Sequence, residues 1–387
     1  MPRVEDQYPE RPRGMTNPMT MVDADIPALG RWLHALINLV MAHGGQVHPG
    51  VRLVARGGQL GVHCDRSRCD TDLPLFRLPR ELLVPVDPIQ WASREDRLQA
   101  MAGMECLTPL QRELLDLHVD LYNASSKLPW AARHLPAVAF RSHTPLLNTI
   151  QAIRPGFGQE KSNVAQTFVR TRVFNLEGKR VIMPLMDLLN HHPKGGRFQV
   201  DASSMTMAVA QIGDNDECFA AYGGRRDVLD MALHYGYADS RIPYACVAPL
   251  ACELPELGRL QITSRRVQAF HPLDPPQITY DDAGVTLSHL TCDRRHPGRL
   301  HTVLRLALLG LAKKRGQSGG GAERAVRAAT EQILEVNLVL LQDVARLADT
   351  LRRDLPAAAM LTEAAALQAG ILRDVLQPAA CDAVGRL

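Results

Sequence analysis

Two stretches decide how this chain reads: Pro184-Leu-Met-Asp-Leu-Leu-Asn-His191 and Tyr222-Gly-Gly-Arg-Arg-Asp227. The first follows a short apolar run, Val181, Ile182 and Met183, and ends in the cluster Asn190, His191, His192 and Pro193. Polar groups set directly after a hydrophobic run stand at the rim of a core, where chemistry can reach them. In the second stretch a tyrosine hydroxyl precedes two glycines, so the backbone there can approach a ligand closely.

Around these stretches the pattern is that of short strands. Residues 181–183 form an apolar run, residues 205–212 alternate strictly, and residues 217–222 lead into the tyrosine. Residues 228–235 then read as a helix, with Asp227 as its N-cap and Gly236 as its C-cap.

Upstream, residues 1–25 read as a disordered leader, rich in proline and charge and without periodicity. A helix is predicted over residues 28–43, with Leu29, Trp32, Leu33, Leu36, Ile37 and Val40 on one face, stopped by Gly44-Gly45. Residues 51–62 alternate around Gly57-Gly58 and predict a hairpin. Residues 73–84 are strand-like, but two prolines argue against a central, fully hydrogen-bonded strand. From about residue 87 to 166 the character turns helical, with leucines at 110, 114, 117 and 121 and prolines punctuating the chain beyond them.

Downstream, residues 258–291 read as strands and turns. Helices are predicted over 300–314, 322–353 and 360–376, with residues 317–321 as a flexible glycine-rich break. That break lacks the lysine and Ser/Thr of a phosphate-binding loop. The class is therefore α+β: short strands with a helical insertion, followed by an all-helical C-terminal domain. The domain boundaries expected are a leader over 1–25, a β-rich domain over 26–250 with its insertion at about 87–166, and a mainly helical domain over 251–387.

At 387 residues, 46% apolar and 22% charged, the chain has the composition of an ordinary globular protein. A net charge of +3, with Lys and Arg spread widely, argues against nucleic acid as a partner. No apolar run reaches the roughly 18 residues a membrane span needs, and the polar start carries no secretory signal. The expectation is a cytoplasmic protein with no membrane partner. None of the eight cysteines forms a C-x-x-C pair. His63, Cys64 and Cys69 could in principle supply three ligands, but reduced thiols are the simpler reading and no metal is expected.

The two stretches resemble the SET-domain methyltransferases, in the branch typified by Rubisco large-subunit lysine methyltransferase and actin histidine methyltransferase. That branch carries a helical insertion within the SET domain and a helical substrate-binding domain after it. Its Pro-x-x-Asp-x-x-Asn-His motif is similar to Pro184, Asp187, Asn190 and His191. Its strand ending in Tyr-Gly resembles residues 217–223, and its second aromatic-Gly-aromatic resembles Tyr235-Gly236-Tyr237. A Ser/Thr-Arg-x-Phe element is similar to Thr171-Arg172-Val173-Phe174. The family's acidic-apolar-apolar segment before a Pro-Arg/Lys-x-Leu-Leu turn resembles Asp72-Leu73-Pro74 before Pro79-Arg80-Glu81-Leu82-Leu83.

The resemblance implies S-adenosylmethionine as cofactor, bound by Asp72, Leu73, Pro74, Arg172, Asp187, Asn190, His191 and Tyr222. It implies Tyr222, Tyr235 and Tyr237 as the catalytic tyrosines of a channel, and a protein side chain as the acceptor. Where relatives follow Tyr-Gly with a pattern ending Ser-Asn, this chain has Asp227. Residues 57–61 only loosely match the family's N-terminal Gly-x-Gly element. Two alternatives stay open: a catalytically inactive SET-fold interaction module, and a protein-histidine methyltransferase.

Methyl transfer from a sulfonium to an amine is an in-line displacement with no oxyanion to stabilise. An enzyme contributes positioning, water exclusion and a neutral nucleophile. A lysine ordinarily near 10.4 loses its proton more readily in an apolar channel beside a sulfonium, through desolvation and like-charge repulsion.

Overall fold

The computed structural model of the chain describes residues 21–65, 67, 72–158, 163–212, 216–222, 226–254, 257–264, 273–317 and 319–376. In chain order its elements begin with β1 (Val22–Ala24), α1 (Pro27–Ala42), β2 (Gln46–Val47), β3 (Val51–Arg56), β4 (Gln59–Cys64) and β5 (Pro74–Pro79). There follow β6 (Val84–Pro85), β7 (Gln90–Arg94), β8 (Arg97–Ala102), α2 (Pro109–Ala124), α3 (Lys127–His134), α4 (Pro136–Ala139), α5 (Thr144–Ile153) and α6 (Val164–Arg170). Short strands then dominate: β9 (Val173–Leu176), β10 (Lys179–Ile182), β11 (Asn190–Gly196), β12 (Phe198–Val200), β13 (Ser204–Ala208) and β14 (Phe219–Ala220). The chain ends with α7 (Val228–Tyr235), β15 (Tyr244–Cys246), β16 (Leu250–Leu254), β17 (Gly258–Ile262), β18 (Ile278–Tyr280), β19 (Gly284–Leu287), β20 (Thr291–Asp293), α8 (Gly298–Lys314), α9 (Gly319–Asp349) and α10 (Pro356–Leu376). The mixed α+β class is the one expected.

Contacts divide the chain into two units, each discontinuous in sequence: Met1–Leu128 with Phe168–Tyr222, and Pro129–Thr167 with Gly223–Leu387. In the first unit, the apolar face read from sequence buries Leu29, Leu33, Leu36, Ile37 and Val40 of α1 at no more than 1% exposure. Each such side chain is worth about 1.5–3 kcal/mol on burial. Helix α1 packs on α2, which starts with a reciprocal capping box between Thr108 and Gln111.

The hairpin β3–β4 turns at Gly57 and Gly58, with φ of +55° and +76°, the pair of left-handed residues that a tight hairpin turn requires. A Cβ on Gly58 would sit 2.9 Å from the Ser126 backbone nitrogen, so the turn packs against the start of α3. The described residues of this unit form sheets ordered β1-β3-β4, β6-β10-β9 and β12-β13-β5-β2, with pairs β7-β8 and β11-β14.

The structure corrects several sequence expectations. Residues 22–24, assigned to the leader, form β1 and pair in parallel with β3; residues 1–20 lie outside the described residues. Strand β5 is internal, flanked by β13 and β2. Its prolines occupy the first and last positions, where the missing N–H costs the ladder least. Helix begins only at Pro109, because residues 90–102 form the β7–β8 hairpin. Gly319, Gly320 and Gly321, read as a break, open α9. The region after residue 250 is also not all-helical, since β16-β17-β19-β18 form a four-stranded sheet ahead of α8.

In the second unit α9 packs against α10, α8 and α5. No helix among the described residues is long and apolar enough to cross a membrane.

Candidate functional site

The Pro184–His191 loop leaves β10 through a strained residue. Leu185 has φ +67° and ψ −39°, near the positive-φ γ-turn region that is rare and strained for an L residue. Such a conformation costs about 1–3 kcal/mol. It persists here because the Leu185 side chain is fully buried. The turn delivers a short 3-10 segment, Met186–Leu188, and places Asp187 in the interior at 5% exposure.

There Asp187 accepts a hydrogen bond from the Tyr122 hydroxyl, and its other oxygen stands 3.5 Å from His118 Nε2. The His118 Nδ1 faces the Leu114 carbonyl at 2.7 Å, one helical turn back. Burial opposes a charge on His118, but the Asp187 carboxylate outweighs it and holds the imidazole above its ordinary range. Burial and the same carboxylate push the Tyr122 hydroxyl well up, so it stays a protonated donor.

From Leu189 onward the chain enters β11, which runs parallel to β14 with Asn190 opposite Phe219 and His191 opposite Ala220. This pairing joins the two stretches. The Tyr222 backbone N–H donates to His191 Nδ1 at 2.8 Å, the two ring centroids lie 5.1 Å apart, and the Tyr222 hydroxyl donates to the Leu189 carbonyl. Gly195 permits the contact: a Cβ there would lie 2.6 Å from the Ala220 carbonyl carbon. His192 is turned inward at 8% exposure and accepts from the Lys194 backbone N–H at 3.0 Å.

Asn190 donates through Nδ2 to Glu217 Oε1 at 2.7 Å. Gly61 of β4 lies against this pair, its Cβ position being 3.6 Å from both atoms and 3.8 Å from His63 Nε2. Burial lowers the His63 imidazole and Glu217 opposes that shift, which favours a neutral ring. Arg172 approaches from the loop between α6 and β9. Its guanidinium lies 5.6 Å over the Tyr122 ring and 5.3 Å over the Phe168 ring, and Nη1 donates to the Asp187 carbonyl at 3.2 Å. Its Nε is buried with no hydrogen-bond partner among the described residues.

The first unit therefore brings together Arg172, Asp187, Asn190, His191 and Tyr222. Asp72, Leu73 and Pro74 stand at the start of β5, with Asp72 exposed and Leu73 44% exposed. Pro74 pairs with Ala208 of β13, whose carbonyl lies 3.0 Å from the Cβ position of Gly196 at the end of β11. Tyr235 and Tyr237 belong to the second unit, where their ring centroids are 6.4 Å apart and Arg226 sits 5.3 Å from the Tyr235 ring centre. Gly223, Gly224, Arg225 and Cys69 lie outside the described residues, and no metal-binding group of three ligands occurs among those described.

No protein-family profile and no curated protein matches the chain. Among solved structures it is similar to the "SET domain of LSMT bound to Lysine and AdoHcy", at 13% identity over 91% of each chain with a TM-score of 0.44. It is also similar to "Rubisco LSMT bound to AdoMet", at 13% identity over 89% of this chain and 90% of that one, TM-score 0.42. At TM-scores below 0.5 these likenesses decide nothing, and the fold and site stand on the chain's own residues.

Sequence reasoning missed His118, Tyr122 and Glu217. For the first two a signal was present. His118 and Tyr122 are four residues apart on the face of α2 that buries Leu114, Leu115 and Leu121, and a histidine on a leucine face calls for an interior partner. Glu217 carried no such signal, since a glutamate before a strand reads as solvated.

Asp227 caps α7 as expected, accepting from Asp230 N at 2.8 Å. It is also fully buried, meeting Arg154 at 2.5 Å, the Cys246 N–H at 2.7 Å and Gln368 at 2.7 Å. Where the related pattern has asparagine, this aspartate is a fixed structural centre.

Proposed function

We propose that this chain is a SET-type, S-adenosylmethionine-dependent protein N-methyltransferase acting on a lysine side chain. The observation that carries the reading is the parallel pairing of β11 with β14, which sets Asn190 and His191 beside Tyr222. A donor left over in the first unit fits a ligand that carries a carboxylate: Arg172 has a buried Nε with no hydrogen-bond partner among the described residues, next to a loop held under strain at Leu185.

In this reading Arg172, Asn190, His191 and residues 72–74 hold the cofactor, which when bound supplies a sulfonium methyl group. Asp187 anchors the loop from beneath, through Tyr122 and His118, so that Asn190 is presented in one orientation. Tyr222 spends its proton on the Leu189 carbonyl, which leaves its oxygen lone pairs to accept an N–H of the acceptor amine. That contact orients the amine lone pair, and the ring excludes water beside it.

Isothermal calorimetry tests the reading. The purified chain binds S-adenosylmethionine, and Asn190→Ala weakens binding about tenfold or more, the worth of one buried hydrogen bond to a charged group. Absence of heat at millimolar cofactor overturns it. Tyr222→Phe lowers turnover on labelled lysate protein with cofactor affinity retained. Equal loss of both would remove Tyr222 from the acceptor's side.

A further inference from the structure

Two turns in the second unit carry the same device. At the entry to β15, Asp239 Oδ1 accepts from the Arg241 backbone N–H at 3.0 Å and from Arg241 Nε at 2.7 Å, and Oδ2 accepts from Nη2 at 3.2 Å. At the exit of β20, Asp293 repeats the pattern with Arg295 at 3.0, 3.1 and 3.1 Å. Its Oδ2 also accepts from His296 Nδ1 at 3.2 Å. Both carboxylates are buried, their side chains 1% exposed, whereas the two arginines are 51% and 54% exposed. Each aspartate thus grips one edge of a guanidinium and leaves Nη1 without a hydrogen bond to any described residue. The turns stand at one end of the same ladder. Strands β15 and β20 are antiparallel with Tyr244 opposite Asp293, and the Arg294 N–H donates to the Pro243 carbonyl at 2.9 Å. Arg241 precedes Tyr244, and Arg295 follows Asp293, by no more than a turn, so the two forks belong to one surface. Arg294 and Arg299 are exposed at the same end, Arg294 pairing with Asp374 at 2.6 Å and Arg299 donating to the Leu273 carbonyl. Between Asp293 and Arg299 every charged side chain at the surface is basic, and the single acid is turned inward.

A surface arginine ordinarily samples many rotamers, and ordering it opposes binding. Here the ordering is already made in the free protein, and a clamped planar fork matches a carboxylate better than a mobile point charge does. We propose that Arg241 and Arg295, held by Asp239 and Asp293 and flanked by His296, form a docking surface for an acidic protein segment whose carboxylates are spaced along an extended chain. Nucleic acid fits this surface less well. The net charge of the chain is only +3, and the cluster is a pair of forks at one strand end, not a basic track. The surface lies within the second unit, and the inference does not depend on the methyltransferase reading. Asp239 and Asp293 act in it as positioning residues.

Fluorescence anisotropy of a labelled peptide of alternating glutamate and alanine, titrated with the full chain at low salt, tests the surface. The wild type binds the peptide, and added salt weakens binding. Arg241→Gln with Arg295→Gln weakens it about tenfold or more. Arg327→Gln with Arg353→Gln, an equal change of charge at exposed positions of the same unit, leaves it within about twofold. Asp293→Asn gives the deciding sign. It makes the surface more positive, so attraction by net charge alone tightens binding, whereas loss of the Arg295 clamp weakens it about threefold or more. Removing an arginine strands a buried carboxylate, so a second pair, Arg241→Lys with Arg295→Lys, keeps a cation beside each aspartate and loses only the fork. That pair also weakens binding about threefold or more, at a thermal midpoint that shows the protein folded. No binding by the wild type, equal weakening by the Arg327 and Arg353 pair, unchanged or tighter binding by Asp293→Asn, or unchanged binding by the lysine pair overturns the surface. An oligonucleotide of equal charge bound as tightly as the peptide also overturns it, in favour of general attraction for polyanions.

Discussion

Each unit buries an aspartate, and the two are satisfied by different chemistry. In the second unit Asp227 meets a guanidinium at 2.5 Å, a side-chain amide and a backbone N–H, while the same Arg154 holds Asp230 at 2.9 Å. In the first unit Asp187 meets a tyrosine hydroxyl and an imidazole. Arginine remains charged at every accessible pH, so the Asp227 centre is a permanent lock that ties α7 to the segment ahead of it in the fold. Histidine changes charge within the physiological range, so the Asp187 centre is adjustable. The adjustable one lies directly under the loop that carries Asn190 and His191.

The largest effect is expected at the lock. Arg154→Met strands two buried carboxylates and costs about 3–5 kcal/mol in denaturant unfolding, equally at pH 6 and pH 9. A loss under about 1 kcal/mol would mean that solvent reaches these carboxylates and that Asp227 is no lock.

Next comes Asp187→Asn. The imidazole value is raised in the folded state, so the pair's contribution is fully present below the ordinary value of about 6.5 and fades as pH rises through the raised one. The substitution costs about 1.5–3 kcal/mol near pH 6 and falls toward the worth of a neutral hydrogen bond, about 1 kcal/mol, near pH 9. A cost that does not change between those pH values would erase the contrast between the two centres.

The smallest effect tests whether the first centre depends on its helix. Thr108→Ala removes the capping box of α2, which bears both His118 and Tyr122, and costs about 1 kcal/mol. It should weaken cofactor binding slightly in the same titration, whereas cap loss at a surface helix remote from the site should not.

Legibility in the sequence divides along the same line between local and distant causes. Helices α1, α7, α8 and α10 and the caps at Asp227 and Gly236 were legible because periodicity and capping act within a few residues. The β7–β8 hairpin was not, because its turn is made by Glu95 and Asp96, with φ of +49° and +58°, instead of the Asn-Gly or Gly-Gly that marks such turns. The glycines opening α9 misled for a related reason. Each costs about 1 kcal/mol in a helix, but that cost is outweighed by the packing of a 31-residue helix, which no local window contains. At the site, Asn190, His191 and Tyr222 stood out as polar groups at strand ends. Glu217 joins them only through its hydrogen bond to Asn190, 27 residues away in sequence, a neighbour that is not written in the residue itself.

The parallel pairing of β11 with β14 also has a kinetic side. Its partners His191 and Tyr222 are 31 residues apart, and the intervening chain forms the β12–β13 hairpin, whose second strand pairs with β5. A loop of that length closes late, after its local hairpin has formed. The corner holding Asn190, His191 and Tyr222 is then among the last parts to assemble and the first to open. A ligand gripping both strands would slow unfolding and leave the folding rate nearly untouched, so that its presence would move one arm of a chevron plot and spare the other.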